Sequence, residues 1–309
     1  MMKTTLKVAF ALGIGAAAAW VAPLLALEPL TSRIIHTDPT KYRPSSSVHG
    51  GAGKMSFTAL LDFHSLDTNL QFLHRGVIDP HSGIGHHFHN ECEEMFVILD
   101  GEAQFTVDGR TSVLKGPAGA PAVLGHAHAI YNATDKPVQW LNINVSLLKG
   151  QYDNFDLGDK RENVALDPTP VFMNMRLDRS LLRSMNAFHG GKGAVQYRRA
   201  LGPEVFHTSW AFVDHFVIPP GASVGPFSYR GIAQFYYVMA GKGTVSLAGR
   251  GQESAAIGSG DAIPIQLSEV HSIENNGTEP LELMAVGVAR NLHKEMEATD
   301  AAVGGPRKN

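Results

Sequence analysis

The stretch Gly85-His86-His87-Phe88-His89-Asn90-Glu91-Cys92-Glu93-Glu94, with Gly125-His126-Ala127-His128-Ala129-Ile130-Tyr131-Asn132 further on, holds five of the chain's fifteen histidines. On a β-strand, side chains two residues apart project to the same side. His87 and His89 therefore converge on one point. A carboxylate from the next strand and a third imidazole from a distant strand would complete a set of four ligands. Three neutral imidazoles with one carboxylate suit a divalent transition metal, with iron, manganese, nickel, zinc and copper not distinguished. An octahedral ion would keep two positions open.

Working outward, the chain repeats itself. At an offset of 140, His49-Gly50-Gly51-Ala52-Gly53 falls on His189-Gly190-Gly191-Lys192-Gly193, Pro80 on Pro220, Gly101 on Gly241 and Gly109 on Gly249. A three-residue insertion then pairs Pro121 with Pro264, His128 with His271 and Asn132 with Asn275. The organisation expected is two copies of one fold, 48–148 and 188–290, joined by 149–187, with a tail over 291–309. Within each copy the elements read as short strands. Residues 94–99 and 234–239 are apolar runs ending at Asp100-Gly101 and Ala240-Gly241, 104–107 ends at Asp108-Gly109, and 139–145 alternates with period 2. With 32 glycines and 17 prolines, the fold class is all-β, two tandem β-barrels of jelly-roll type. A short helix is expected within 173–185 and a minor C-terminal one over 292–299.

The pattern resembles the cupin superfamily, whose first motif is Gly-x5-His-x-His-x3/4-Glu-x6-Gly. His87-x-His89-x4-Glu94-x6-Gly101 fits it. Glu93 fits the shorter histidine-to-carboxylate spacing, but Glu94 alone keeps six residues before Gly101. The second motif, Pro-x-Gly-x2-His-x3-Asn, is met in its latter half by Gly125-x2-His128-x3-Asn132. His81 stands where the first motif has glycine, and Pro121 lies two residues too far from Gly125. The resemblance covers both copies, as in a bicupin. It implies tandem cupin barrels and one divalent metal held by His87, His89, Glu94 and His128. Copy two has Phe227, Tyr229 and Gln234 where copy one has the two histidines and the carboxylate. Only His271 survives there, so that site reads as vestigial.

Other residues carry weaker signals. Arg75, Trp140, Asn142 and Asn144 are substrate-contact candidates; Asn142 and Asn144 share a strand face with Trp140, and copy two has Leu283, Ala285 and Gly287 in those places. His49 and His189, kept in both copies, read as turn residues, His86 and His126 as surface histidines, and Cys92 as a small turn residue. The single cysteine excludes an intrachain disulfide. A net charge of −3 speaks against general nucleic-acid affinity. Lys3 and Lys7, followed by an apolar run over 8–26, make residues 1–27 a signal peptide or anchor, so the expected address is exported, in a bacterial periplasm. Membrane contact would then be through that segment only, and a homo-oligomer is compatible with the sequence. The expected function is that of a metal-dependent enzyme on a small oxygen-rich substrate (a sugar derivative, an organic or phenolic acid), as dioxygenase, decarboxylase, isomerase or lyase. The alternative is a non-catalytic exported metal- or small-molecule-binding protein.

Overall fold

In the computed structural model, which describes residues 28–249 and 252–292, strand Cys92–Ile98 is buried at all seven positions. A strand covered on both faces needs apolar residues at odd and even positions alike. Met95 and Val97 face a core between two sheets, whereas Phe96 and Ile98 face the interior of a barrel. Strand Val138–Ser146 does the same, with Leu141, Ile143 and Val145 on the first side and Val138 and Trp140 on the second.

The described residues form two barrels. The first joins a sheet ordered Met175–Arg176, Ala118–Ala122, Cys92–Ile98, Val138–Ser146, Leu70–Ile78, Lys54–Asp62, Arg43–Ser46 to a smaller one ordered Phe155–Asp159, Ser82–Phe88, Ala127–Asn132, Glu102–Val107, Arg110–Lys115. The second repeats the plan: Ile35–His36, Asp261–Ile265, Ile232–Ala240, Leu281–Ala289, Trp210–Ile218, Ala194–Leu201, Arg183–Asn186, facing Ser223–Phe227, Val270–Glu274, Lys242–Ala248, Glu253–Gly258. The strand pairings within all four sheets are antiparallel. The two large sheets pack face to face, burying Leu73, Met95 and Ile143 with Val213, Phe235 and Val286.

The duplication reaches further back than 48 and 188. Ile35 pairs with Ala262 and Met175 with Gly119, so each copy lends its leading strand to the other barrel. The segment 149–187 is thus divided between the barrels. Phe155–Asp159 and Met175–Arg176 belong to sheets of the first, and Arg183–Asn186 to the second. The short helix expected within 173–185 is not there. That stretch is strand, a single 3-10 turn over Arg179–Leu181 capped by Asp178, then strand. Its mixed apolar spacing suits an edge strand that buries Met175 and Leu177 between the barrels. Cys92 likewise opens a buried strand and is not a turn residue. The segment 1–27 and nearly all of 292–299 lie outside the described residues. Among the described residues no helix is long and apolar enough to cross a membrane.

Residue 81 explains one departure from the motif. His81 has φ +52° and its counterpart Gly221 φ +76°. The turn demands a left-handed residue, which costs a non-glycine about 1–2 kcal/mol. His81 takes it with its ring out in solvent, 2.8 Å from Asp135.

Candidate metal centre

Strands Ser82–Phe88 and Ala127–Asn132 pair so that His87 lies opposite His128. Inside the barrel, His128 Nε2 is 3.1 Å from His87 Nε2 and 3.4 Å from His89 Nε2. Glu94 Oε2 is 3.6 Å from His89 Nε2. The four ligand atoms lie within 4.8 Å of one another, and all four residues are buried.

Each is held in place by a partner. His87 Nδ1 donates to Gly85 O at 2.8 Å, and His89 Nδ1 donates to Asp153 O. Carbonyls only accept, so both rings carry their remaining proton on Nδ1 and turn an Nε2 lone pair inward. Burial above all, with His49 beside it, drives the His87 imidazole down to about 2. Burial lowers His128 as well. Neutral imidazoles with converging lone pairs beside a carboxylate are a poor packing solution by themselves and a good cage for a divalent cation, so the residues fit a metal. The backbone of Asp153 is itself anchored, because its carboxylate accepts from Asn90 N and Glu91 N at 2.8 and 3.0 Å. Cys92 lies beside this group, but burial pushes its thiol up to about 12, which keeps it protonated.

The structure sorts the substrate-contact candidates. Asn142 Nδ2 donates to Glu94 Oε1 and Asn144 Nδ2 to Glu94 Oε2, both at 2.9 Å. Two amides thereby fix both carboxylate oxygens. Trp140 and Asn142 also line a cavity of about 190 Å³ beside Glu94, whose other walls include Phe57, Phe72 and Tyr152. Asn144, fully buried against Cys92 and Glu94, does not line this cavity and is no substrate contact, and neither is Arg75. Arg75 lies on the opposite strand face, donating to Tyr237 Oη at 3.0 Å across the barrel contact and to Gln139 Oε1. One residue of parity separates it from His74, which does line the cavity. Glu93, also one position off, accepts from His207 N, Thr208 N and Thr208 Oγ1 of the second barrel.

A cupin-domain family model matches residues 74–144 and 214–287, the first span enclosing all four converging residues. The chain is 35% identical over 97 residues to the oxalate-binding protein of Thermotoga maritima, covering 31% of this chain and 78% of that protein. The chain belongs to the cupin family. Its fold is that of oxalate decarboxylase OxdC of Bacillus subtilis. A mutant of that enzyme aligns with a TM-score of 0.59 at 16% identity over 83% of this chain and 78% of the other. The structure at pH 4.6 gives 0.57 at 14% over 89% and 86%. Another structure of that decarboxylase, TM-score 0.56 at 15% identity over 83% and 78%, comes from work on its Mn(II) centres. Among the described residues of this bicupin, the four-residue His/Glu cluster of metal-binding type lies in the first barrel.

In the second barrel the surviving imidazole is used differently. His271 Nε2 meets Tyr236 Oη and Gln234 Nε2, both at 2.9 Å, and its Nδ1 donates to Glu269 O. Phe227 stands over this ring at 4.4 Å, with Tyr229 edge-on to Phe227. Among the described residues no cluster with metal-ligand geometry forms there. Burial pushes His271 down to about 4, below the ~6.5 of an exposed imidazole. The stability held by the neutral ring is therefore complete above pH 6.5 and is lost as the pH falls from there toward 4. The loss amounts to about 3 kcal/mol. A His271→Asn variant is expected to show a smaller fall in urea midpoint between pH 7 and 4.5 than the native chain; an equal fall would contradict the assignment.

His49 is the residue that sequence reasoning placed too modestly. It does sit in a left-handed turn, φ +49°. Its ring also stacks on His87, centroids 3.9 Å apart, and Nδ1 is 2.6 Å from Asp156 Oδ1. In copy two, His189 stacks on Phe227 at 4.0 Å, so the stack outlives the ligand. The sequence signal was present in the repeat, but its partner Asp156 lies outside the repeat. Asn144→Leu is expected to lower metal affinity about 10–100-fold by freeing Glu94 Oε2. Competition with a chromophoric chelator reads this directly, and unchanged affinity would show that the amide clamp is dispensable.

Proposed function

We propose that this bicupin holds one divalent metal ion per chain through His87, His89, Glu94 and His128. We further propose that it is an enzyme acting on a small oxygen-bearing organic acid, the class that includes the oxalate named for its relative. The observation that carries this reading is the convergence of two tautomer-fixed imidazoles, a third imidazole and an amide-clamped carboxylate beside a cavity. When bound, the metal would act as a Lewis acid toward a carbonyl, carboxylate or enediol. The chain's own contribution is to fix the ligand atoms, exclude bulk water with Phe57, Phe72 and Trp140, and keep the His87 and His128 imidazoles unprotonated by burial. Export, proposed from Lys3, Lys7 and the apolar run over 8–26, would place this chemistry outside the cytoplasm.

A second reading has its own support. Among the described residues the only carboxylate lining the cavity is Glu94, and no lysine or arginine lines it, so a non-catalytic metal-dependent binding protein is also coherent. Elemental analysis of the purified chain, then product analysis over a panel of hydroxy, oxo and phenolic acids with and without oxygen, separates them. Turnover of any panel member supports the enzyme. Stoichiometric capture with the ligand recovered unchanged supports the binding protein.

A further inference from the structure

The leading segment is built into the second barrel from Leu30 onward. Leu30 is 0% exposed and Ile34 5%, and both join the second barrel's core with Val195, Ala255 and Ile257. Arg33, its side chain 9% exposed, donates twice to the Glu269 carboxylate, at 3.0 Å each. His36 Nδ1 lies 2.6 Å from Asp261 Oδ1, and Thr37 Oγ1 donates to Gly260 O at 2.6 Å. Leu30 N, at 2.5 Å, is the one donor that Glu253 meets among the described residues. Just ahead of Leu30, Glu28 lines a groove of about 270 Å³ together with Glu253 and Glu269. Among the described residues its one cationic side chain is Arg33, which Glu269 engages. The groove is left with an excess of negative charge.

The repeat shows how the other barrel fills the same place. Ile35 pairs with Ala262 as Met175 does with Gly119, so the two leading segments correspond at the offset of 140. Glu253 corresponds to Arg110, because Leu247 faces the one across its hairpin as Val107 faces the other. In the first barrel Arg110 Nε and Nη2 donate to the Asp167 carboxylate at 2.9 and 2.6 Å, and Asp167 N is tied to Thr111 O at 2.7 Å. Asp167 corresponds to Leu27. The first barrel thus pairs a strand cation with an anion of the leading segment. In the second the strand group is a carboxylate, and the pair requires a cation at position 27. A leucine can supply one only as an α-ammonium, which exists only in a chain that starts there. Ala26 before it is the small residue that leader cleavage favours.

Resting on the export reading above, we infer that the chain is processed between Ala26 and Leu27 and that the new α-ammonium docks against Glu253. One water adds across the Ala26–Leu27 peptide bond, the work of an export peptidase: Ala26 leaves as a carboxylate and Leu27 keeps the nitrogen as an ammonium. An uncleaved anchor fits less well. Only residues 27–29 would separate its apolar run from the buried Leu30, about 10 Å at full extension. That tether is too short to free this face of the second barrel from a bilayer. The barrel that lacks the metal ligands thereby holds the start of the processed chain.

The test expresses the full chain with its own leader in a Gram-negative bacterium and reads the first residue of the exported protein by N-terminal sequencing and intact mass. Leu27 is expected. The α-amine is then acetylated with an activated ester, and its rate is read by mass spectrometry of the N-terminal peptide, with the lysines as internal standards. A docked ammonium reacts slowly. Glu253→Gln, which keeps a carbonyl acceptor for Leu30 N, is expected to speed the α-amine about 2–5-fold, the span of a partly exposed ion pair. Should that variant fold poorly, the native chain decides alone: about 1 M salt screens the pair and should speed the α-amine relative to the lysines. A first residue other than Leu27, or an α-amine that neither the variant nor salt accelerates, overturns this inference while export stands. Protein found in the cytoplasm with Met1 intact overturns the export reading and this inference with it.

Discussion

Replacing His87 by alanine is expected to take the metal content of the purified chain from one ion to near zero, whereas His271→Ala leaves it at one. Both residues are buried imidazoles hydrogen-bonded through Nδ1 to a carbonyl two residues earlier in the chain, Gly85 and Glu269. They differ in what their Nε2 meets. His87 faces His128 and sits in one cluster with His89 and Glu94. His271 faces the Tyr236 hydroxyl and the Gln234 amide, neither of which offers a thiolate, an imidazole or a carboxylate to a metal. Loss of one ligand from four should exceed the ~10–100-fold seen when only a supporting partner is removed. Inductively coupled plasma mass spectrometry on both variants decides it. Retained metal in His87→Ala, or lost metal in His271→Ala, would reverse the assignment of the two barrels.

Much of this was legible because strand parity is a local rule. His87 and His89 needed only a spacing of two to be placed on one face, and the 140-residue offset located the second barrel and its missing ligands. Glu94 was chosen over Glu93 by its distance to Gly101. The structure supplies the physical reason: adjacent residues on a strand buried on both sides belong to different environments, one in the barrel and one between barrels. What the sequence hid was non-local. The exchange of Ile35–His36 and Met175–Arg176 between barrels is set by which sheet edge each two-residue strand meets, and a strand that short has no period to read. Arg75 was misplaced for the converse reason. A long polar side chain near a metal-binding strand looks like a substrate contact, until the opposing barrel presents a phenol for it. Asn142 and Asn144 were placed on the inner face correctly by alternation, but their hold on Glu94 depends on strand Cys92–Ile98 lying alongside, with Asn144 paired to Glu94.

Glu93 supplies the second large effect. Its side chain is fully buried in the contact between barrels and accepts three hydrogen bonds, from His207 N at 2.8 Å, Thr208 N at 2.9 Å and Thr208 Oγ1 at 2.6 Å. Those donors sit just after the 3-10 turn Pro203–Val205 that leads into strand Trp210–Ile218. A carboxylate shared among three donors is well satisfied without a cation. Glu93→Ala leaves the two buried Thr208 donors and the part-buried His207 N without their acceptor, and a loss of about 3–5 kcal/mol in unfolding free energy is expected. Chemical denaturation of the variant against the native chain measures it. Glu93→Gln, which keeps one carbonyl acceptor and the shape, should fall between the two. Because Glu94 points into the barrel and Glu93 away from it, the folded fraction of Glu93→Ala should still bind one metal per chain. A variant that kept its stability and lost its metal would mean that Glu93, not Glu94, completes the ligand set.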